Sequence, residues 1–531
     1  MVEVMRAVPL TLSLAGMLLT GCAVGPNYVR PQVETTSEFM GQAAVAQRRA
    51  APAPDLVVWW KGFNDPVLTQ VVEEALAQNL DLAKASARVT QARAALKGAT
   101  AALLPSGTVT GAASRVHVSE QTALGEVLRT APGFQRDGSL FELDLGASWE
   151  IDLFGGLRRG REASLADYQA AQADEVAARL AIAAQTADTY VVIRGLQARI
   201  AVATRQVDTQ RRLLTAVELQ YGKGVAAELQ LRQAEGALSQ VEATLPVLED
   251  GLESSMNALD VLLGSQPGSD RAQLMAPGAI PAAPEIASAG GPADLLRRRP
   301  DIIVAERRVA AANARIGEAL SEYYPKISLS GLIGTVTTLG SNLFSAGANQ
   351  AQGVAGLRWR LFDFGRIDAE VLAAKGQKAE ALAAYKLSVL RATEDVEDAF
   401  SALVRREAEE RTLARGEASL MRAREISETA YKGGAVSLIE VLDADSRLLA
   451  TRDARALAQT EAARAAIASF RALGGGWDAP TKLSSEPPNA KWNGSRIDAQ
   501  QAAAFDVDGL RLPCAACDHV AGRRFQVDAS K

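Results

Sequence analysis

With 531 residues and a net charge of −5, the chain is long enough for more than one domain and carries no basic excess. No lysine- and arginine-rich run stands out, so the electrostatic footprint of nucleic-acid binding is lacking and no such partner is expected. The two histidines, His117 and His519, come with no nucleophile-plus-base constellation and no phosphate-cradling glycine loop. Neither catalysis nor a cofactor is therefore expected.

The chain opens with Arg6 and an apolar run from Ala7 to Leu19. A run this short cannot span a bilayer as a helix, which takes about 20 residues, but it suits a secretory signal over residues 1–21. Leu19-Thr-Gly-Cys22 resembles the lipobox of bacterial lipoproteins, in which the signal is cut before the cysteine and Cys22 becomes the acylated first residue. The alternative is an uncleaved signal anchor with an incidental cysteine. In lipoproteins an aspartate after the acylated cysteine favours inner-membrane retention; Ala23 stands there, which points to the outer membrane. Residues 22–65 then form a lipidated linker.

From residue 66 onward the sequence is written twice. Trp149-Glu-Ile-Asp-Leu-Phe-Gly155 returns as Trp359-Arg-Leu-Phe-Asp-Phe-Gly365, Tyr221-Gly-Lys-Gly224 as Tyr431-Lys-Gly-Gly434, and Leu104-Pro105 as Tyr324-Pro325. Before those prolines, Asp81, Ala85, Arg88, Val89, Ala92 and Ala94 match Asp301, Ala305, Arg308, Val309, Ala312 and Ala314. A period above about 200 residues is far too long for a solenoid, whose repeats run about 20–50. Residues 66–290 and 291–475 are read as two copies of one substructure that pack side by side.

Within each copy the strand signal comes first. Phe141, Leu143, Leu145, Ala147 and Trp149 alternate with Glu142, Asp144, Gly146, Ser148 and Glu150, and Leu357, Trp359 and Leu361 alternate with Arg358 and Arg360. With less regular runs ahead of them, these predict strands over about 107–118 and 140–151 in one copy and 326–337 and 352–362 in the other, joined by loops at about 119–137 and 338–350.

Helices follow. No proline stands between Pro132 and Pro246 or between Pro325 and Pro480, and both windows are rich in Ala, Leu, Glu, Arg and Gln. Proline costs about 3 kcal/mol inside a helix and these residues are the best helix formers, so long helices are predicted over Leu157–Tyr221 and Arg366–Tyr431. Leu382, Tyr385, Val389, Val396, Phe400 and Leu403 mark a coiled-coil seam on the second. Gly222/Gly224 and Gly433/Gly434 close the long helices, and return helices are expected over Ala227–Leu263 and Ser437–Leu473.

Strand alternation alone also fits a surface hairpin on a soluble core. Against that stand the length of the helices, the water-seeking face of Glu142, Asp144, Glu150, Arg358 and Arg360, and a tryptophan closing the apolar face at one matched place, Trp149 and Trp359. An aromatic at the rim of an apolar band is how a membrane-spanning strand meets the interface. Four strands cannot close a barrel, so closure demands more chains.

These residues resemble the outer-membrane efflux proteins of the TolC/OprM type, in particular their NodT-like lipoprotein branch. The matching strings are Leu-Thr-Gly-Cys22, Gly-Pro-Asn-Tyr28, Asn79-Leu-Asp-Leu82, Trp149 to Arg159, Arg299-Pro-Asp301, Ala305-Glu-Arg-Arg308, Tyr324-Pro325, Trp359 to Arg366 and Leu438-Ile-Glu-Val-Leu-Asp-Ala444. The likeness spans about Cys22 to Leu473. It implies a mainly α fold with a membrane β-barrel: a homotrimer whose strands, four per chain, complete a 12-stranded barrel continued by a periplasmic α-barrel. It also implies partnership with a periplasmic adaptor and an inner-membrane pump of the resistance-nodulation-division class, and a passive duct for small molecules. By the same carry-over Ile439 and Asp443 face the pore near its constriction, where three copies of Asp443 would form an acidic ring favouring cations. The bland alternative is that Asp443 pairs with Arg447 one turn on.

Residues 476–531 depart from the family pattern and read as a linker or disordered tail. The tail holds Cys514-Ala-Ala-Cys517, which lacks the βαβ setting of a redox motif and the second ligand pair of a zinc site. A local disulfide or an idle tail fits it better. The competing reading of the whole chain, a lipid-anchored periplasmic coiled-coil scaffold, accounts for Cys22 and the helices but not for the matched alternating strands.

Overall fold

The computed structural model describes residues 23–34, 36–48, 55–269, 271–286 and 292–478. The signal segment, Cys22 and the tail with Cys514 and Cys517 lie outside the described residues. In chain order the elements of the first copy and its lead-in are α1 (Gln42–Ala46), α2 (Pro66–Gln78), α3 (Leu80–Ala101), β1 (Ser106–His117), α4 (Ala123–Leu128), β2 (Asp137–Ile151), α5 (Gly156–Gly222), α6 (Glu228–Glu242), α7 (Thr244–Leu262) and α8 (Arg271–Leu274). The second copy runs α9 (Pro292–Arg298), α10 (Pro300–Ser321), β3 (Lys326–Thr337), β4 (Asn349–Arg358), α11 (Arg366–Lys432) and α12 (Leu438–Ala472).

The long helices α5 and α11 each hold 67 residues, about 100 Å at 1.5 Å per residue. Each starts after a glycine of positive φ, Gly155 at 82° and Gly365 at 87°, which turns the chain from strand to helix. The seam read from the sequence is buried from Tyr385 on: Tyr385, Val389, Val396, Phe400 and Leu403 are in the core, and Leu382 is half-buried against it. Close helix approach is built in at Gly195, where a Cβ would come within 2.2 Å of the Thr460 hydroxyl on α12.

One helix differs from expectation. The first return helix is two pieces, α6 and α7, separated at Ala243. Pro246 stands three residues on; it offers no N–H and its ring crowds the carbonyl four residues back, that of Glu242, so the helix breaks there.

In both copies the return helix meets the next short helix end to end through one device. Asn79 Nδ2 donates to Leu262 O at 2.9 Å. At the matching place Arg299 Nη1 donates to Ala472 O at 3.2 Å, while its Nη2 donates to Asp301 and Asp395 at 2.7 and 2.8 Å. A carbonyl left over at a helix end thus finds a donor on the residue that opens the next helix. Around these junctions lies the main core, with Trp59 stacked on Phe470 at 5.3 Å. Tyr190, donating to Asp65 at 2.9 Å, is buried there, and burial, helped by the Asp65 carboxylate against the opposing Arg194, pushes its hydroxyl up to about 12.

The four strands form one antiparallel sheet in the order β1-β2-β3-β4. Expected boundaries shift by a few residues. Pairing carries β2 back to Asp137 opposite His117, and β4 runs from Asn349 only to Arg358, so Trp359, Arg360 and Leu361 lie past its end. The cause is Pro325: β3 starts after it at Lys326, whose partner is Arg358, and among the described residues no strand is left to pair with the residues beyond. Arg360 instead pairs with Glu322 at 3.0 Å. The first expected loop contains α4 and the second two short 3-10 turns.

Candidate functional site

The register decides what each face of the sheet presents. Opposed residues share a face, and Val109, Leu145, Ile333 and Ala351 stand in one row across all four strands. The same face carries Leu143, Trp149, Leu329 and Leu357, whereas the other carries Thr110, Glu142, Asp144, Ser330 and Gln352. Gln350 Nε2 donates to Asp144 across that polar face at 2.8 Å. Leu145, Ile333, Val109 and Leu357 are exposed in the single chain. A sheet apolar on one side and charged on the other, with its apolar row exposed, suits a wall between lipid and water.

Both tryptophans singled out in the sequence sit at the foot of this wall and make the same bond. Trp149 Nε1 donates to Leu103 O at 3.0 Å and Trp359 Nε1 to Tyr323 O at 2.9 Å. Each acceptor lies two residues before the proline that starts the neighbouring strand, so the indole ties the end of one strand to the beginning of the other.

At the far end of the helices, Ile439 is half-buried and Asp443 is exposed. Asp443 accepts from Arg447 Nε at 2.9 Å, the pairing one turn on. The first copy has Gln233 at the position of Asp443, and its Gln230, which matches Glu440, accepts from the Ala227 backbone N–H at 3.0 Å as a helix cap. Sequence reasoning passed over the polar row that joins the copies here. Thr209 donates to Asp445 at 2.7 Å and Gln210 to Ser446 at 2.9 Å, and higher up Arg199 meets Asp453 and Arg464 meets Asp188, each at 2.8 Å. A signal for it existed: Asp188 and Arg199, and Asp453 and Arg464, are each eleven residues apart, which is about three helical turns, so two antiparallel helices present reciprocal charges.

The family model described as outer membrane efflux protein matches residues 71–265 and 291–475. The chain belongs to the outer membrane efflux protein family. It is 31% identical over 488 residues to nodulation protein T of Rhizobium leguminosarum bv. trifolii, covering 90% of this chain and 99% of that one. It is 32% identical over 426 residues to the pyoverdine export outer membrane protein OpmQ of Pseudomonas putida, covering 80% and 89%. Among solved structures it is similar to the outer-membrane channel OprN, at 33% identity and a TM-score of 0.75, over 86% of this chain and all of that one.

Family membership fixes the setting: an efflux channel of the outer membrane that reaches into the periplasm. The exposed apolar row is then the lipid face and the charged row the water face. Proteins of this family are passive channels. Among the described residues no cluster of potential metal ligands occurs.

Proposed function

We propose that three copies of the chain join head to tail, β4 of one beside β1 of the next, and enclose a passive duct through which small molecules leave the cell. The observation that carries this reading is a lipid-facing sheet with both edges open. Unpaired edge groups cannot be left in hydrocarbon, so the sheet must close on itself through further copies. Three copies give twelve strands, within the range of membrane barrels.

The internal duplication supplies the register of the missing joint. Within the chain Leu145 faces Ile333 and Trp149 faces Leu329. Their counterparts are Ala355 facing Ala113 of the neighbouring copy and Trp359 facing Val109 of it, with β4 prolonged toward Leu361 as β2 reaches Ile151. With Cys514 and Cys517 replaced by serine, an Ala113→Cys, Ala355→Cys protein should form a disulfide-linked trimer on a non-reducing gel. Linkage through Ala113→Cys with Gly353→Cys instead, or none in either, would reject this arrangement.

On the same reading residues 1–21 are removed as a signal, Cys22 is acylated at the head of a linker over 22–65, residues 66–290 and 291–475 are the two copies, and 476–531 form a tail without an assigned role. Trp149 and Trp359 ring the barrel at the membrane interface. A periplasmic adaptor and a resistance-nodulation-division pump in the inner membrane load the duct. Ile439 and Asp443 line its constriction, where each Asp443 carries its own Arg447. Removing the carboxylate leaves three unpaired guanidinium groups, so Asp443→Ala should move the reversal potential of planar-bilayer channels toward anion preference. An unchanged reversal potential and conductance would remove Asp443 from the constriction.

A further inference from the structure

Two sequence strings, Gly25-Pro-Asn-Tyr28 and Ala305-Glu-Arg-Arg308, turn out to be the two halves of one dock. The segment after Cys22 begins at the foot of the sheet, where Val24 N donates to Phe154 O at 3.0 Å. Gly155 leaves room for it: a Cβ there would stand 2.6 Å from Ala23 Cα. The buried Arg159 then holds the passing backbone, donating to Val24 O at 3.1 Å, Gly25 O at 3.2 Å and Asn27 Oδ1 at 2.8 Å. On α10, Asn313 Nδ2 donates to Pro26 O at 2.8 Å. Gly25, at φ 92°, lies so near Gly317 that a Cβ on it would meet Gly317 Cα at 2.5 Å. Last, the Tyr28 hydroxyl donates to Glu306, which is 3% exposed and is also held by Arg307 at 2.5 and 2.7 Å.

The duplication provides an internal control. At the positions matching Arg159, Glu306, Asn313 and Gly317 the other copy has Ala369, Ser86, Arg93 and Lys97. None of these could reproduce the contacts, and Lys97 would fill the space that Gly317 leaves. The dock lies between α5 of the first copy and α10 of the second; their counterparts α11 and α3 share the same framework, yet only the faces that meet residues 24–28 carry this chemistry. Framework packing therefore does not account for these four residues; the segment they hold does.

We propose that Arg159, Glu306, Asn313 and Gly317 form a dedicated dock that fixes the segment following Cys22 to the wall of the channel. On the reading of Cys22 as the acylated residue, this makes the lipid anchor a fixed part of the barrel base. The first described residue of that segment, Ala23, lies against Gly155 at the strand-to-helix turn. The occupant is the chain's own N-terminal segment, and the dock residues are positioning residues.

The test uses full-length protein with Cys514 and Cys517 changed to serine and a nitroxide on Val29→Cys, whose side chain is 80% exposed. The expected spectrum of this label is the slow-motion form of a docked backbone. An Arg159→Ala, Glu306→Gln protein should convert it to a sharp, mobile spectrum, and Lys97→Ala, at the matching place of the other copy, should leave it slow. Should the double variant fail to fold, Tyr28→Phe removes the contact with Glu306 alone and should give an intermediate spectrum. A mobile spectrum in the parent protein, or a slow one in both dock variants, overturns the proposal. The mass of the purified N-terminal peptide tests acylation separately: an unacylated Cys22 with the slow spectrum intact removes the lipid and leaves the dock standing.

Discussion

The two copies within this chain are built from the same parts, and they differ in where each part finds its partner. In the first copy Phe154, next to the strand-to-helix turn, stacks on Tyr324 of the second at 4.6 Å. Its counterpart Phe364 is 95% exposed, and Leu104, which matches Tyr324, is 63% exposed. In the same way β2 pairs on both sides, whereas β1 and β4 pair on one. The first copy shows the joint made, the second shows it waiting for another chain. A duplicated protein thus contains, in its own interior, a template for its assembly.

The largest effect expected from breaking this likeness is at the end-to-end helix junctions. Arg299 serves two carboxylates and a helix-end carbonyl, whereas Asn79 serves one carbonyl and two backbone N–H groups. Hydrogen bonds to charged groups contribute about 1.5–3 kcal/mol and neutral ones about 1. Arg299→Ala should therefore destabilise the chain by about 3 kcal/mol in denaturant unfolding, and Asn79→Ala by about 1. Equal costs would mean that the junctions are alike in energy as well as in geometry.

A second comparison separates folding from assembly. Phe154→Ala removes a contact made inside the chain and should lower chain stability by about 2 kcal/mol, below the range for fully buried aromatics because the ring is half-buried. Phe364→Ala removes nothing the single chain uses. It should leave unfolding of the chain unchanged and instead lower the temperature at which the trimer band disappears on semi-native gels. Destabilisation of both kinds by both variants would show that Phe364 has a partner within its own chain.

What the sequence revealed and what it hid follow from this same division. The long helices, the coiled-coil seam from Tyr385 to Leu403 and the alternating strands were legible because period and proline placement are local properties. The end of β4 was not, because whether Trp359 and Leu361 belong to a strand depends on the pairing partner, and Pro325 removes the one inside the chain. Pro246 is a local signal too: its position alone gives the break between α6 and α7. The row from Asp188 to Asp445 was hidden for another reason. It joins helices more than 200 residues apart, and only their spacing, never their neighbourhood in sequence, connects them.

The smallest effect, and the most selective, is on the helical hairpins. In the second copy Glu417 on α11 accepts from Arg452 and Arg455 of α12, each at 2.8 Å, and Arg455 also reaches Glu410 at 3.0 Å. The matching position in the first copy is Val207, a buried apolar residue. Burial works against the Glu417 charge, but the hydrogen bonds from Arg455 and Arg452 outweigh it and hold its carboxyl below the ordinary 4.5. A carboxylate depressed in the folded state stabilises above the unfolded value and loses that contribution as pH falls through the folded one. Acid should therefore loosen the α11–α12 hairpin, which carries Asp443, more than the α5–α6 hairpin, where Val207 stands in place of the carboxylate and the nearby pair, Arg211 with Glu242 at 2.9 Å, is exposed. Hydrogen exchange compared at neutral pH and just below the ordinary carboxylate range, expressed as protection relative to the intrinsic rate at each pH, reads this directly: amides near 410–420 and 450–456 should lose protection in acid, while those near 203–210 keep theirs. Glu417→Gln should abolish the difference, and a uniform acid response along both hairpins would assign it to the net charge of the protein instead.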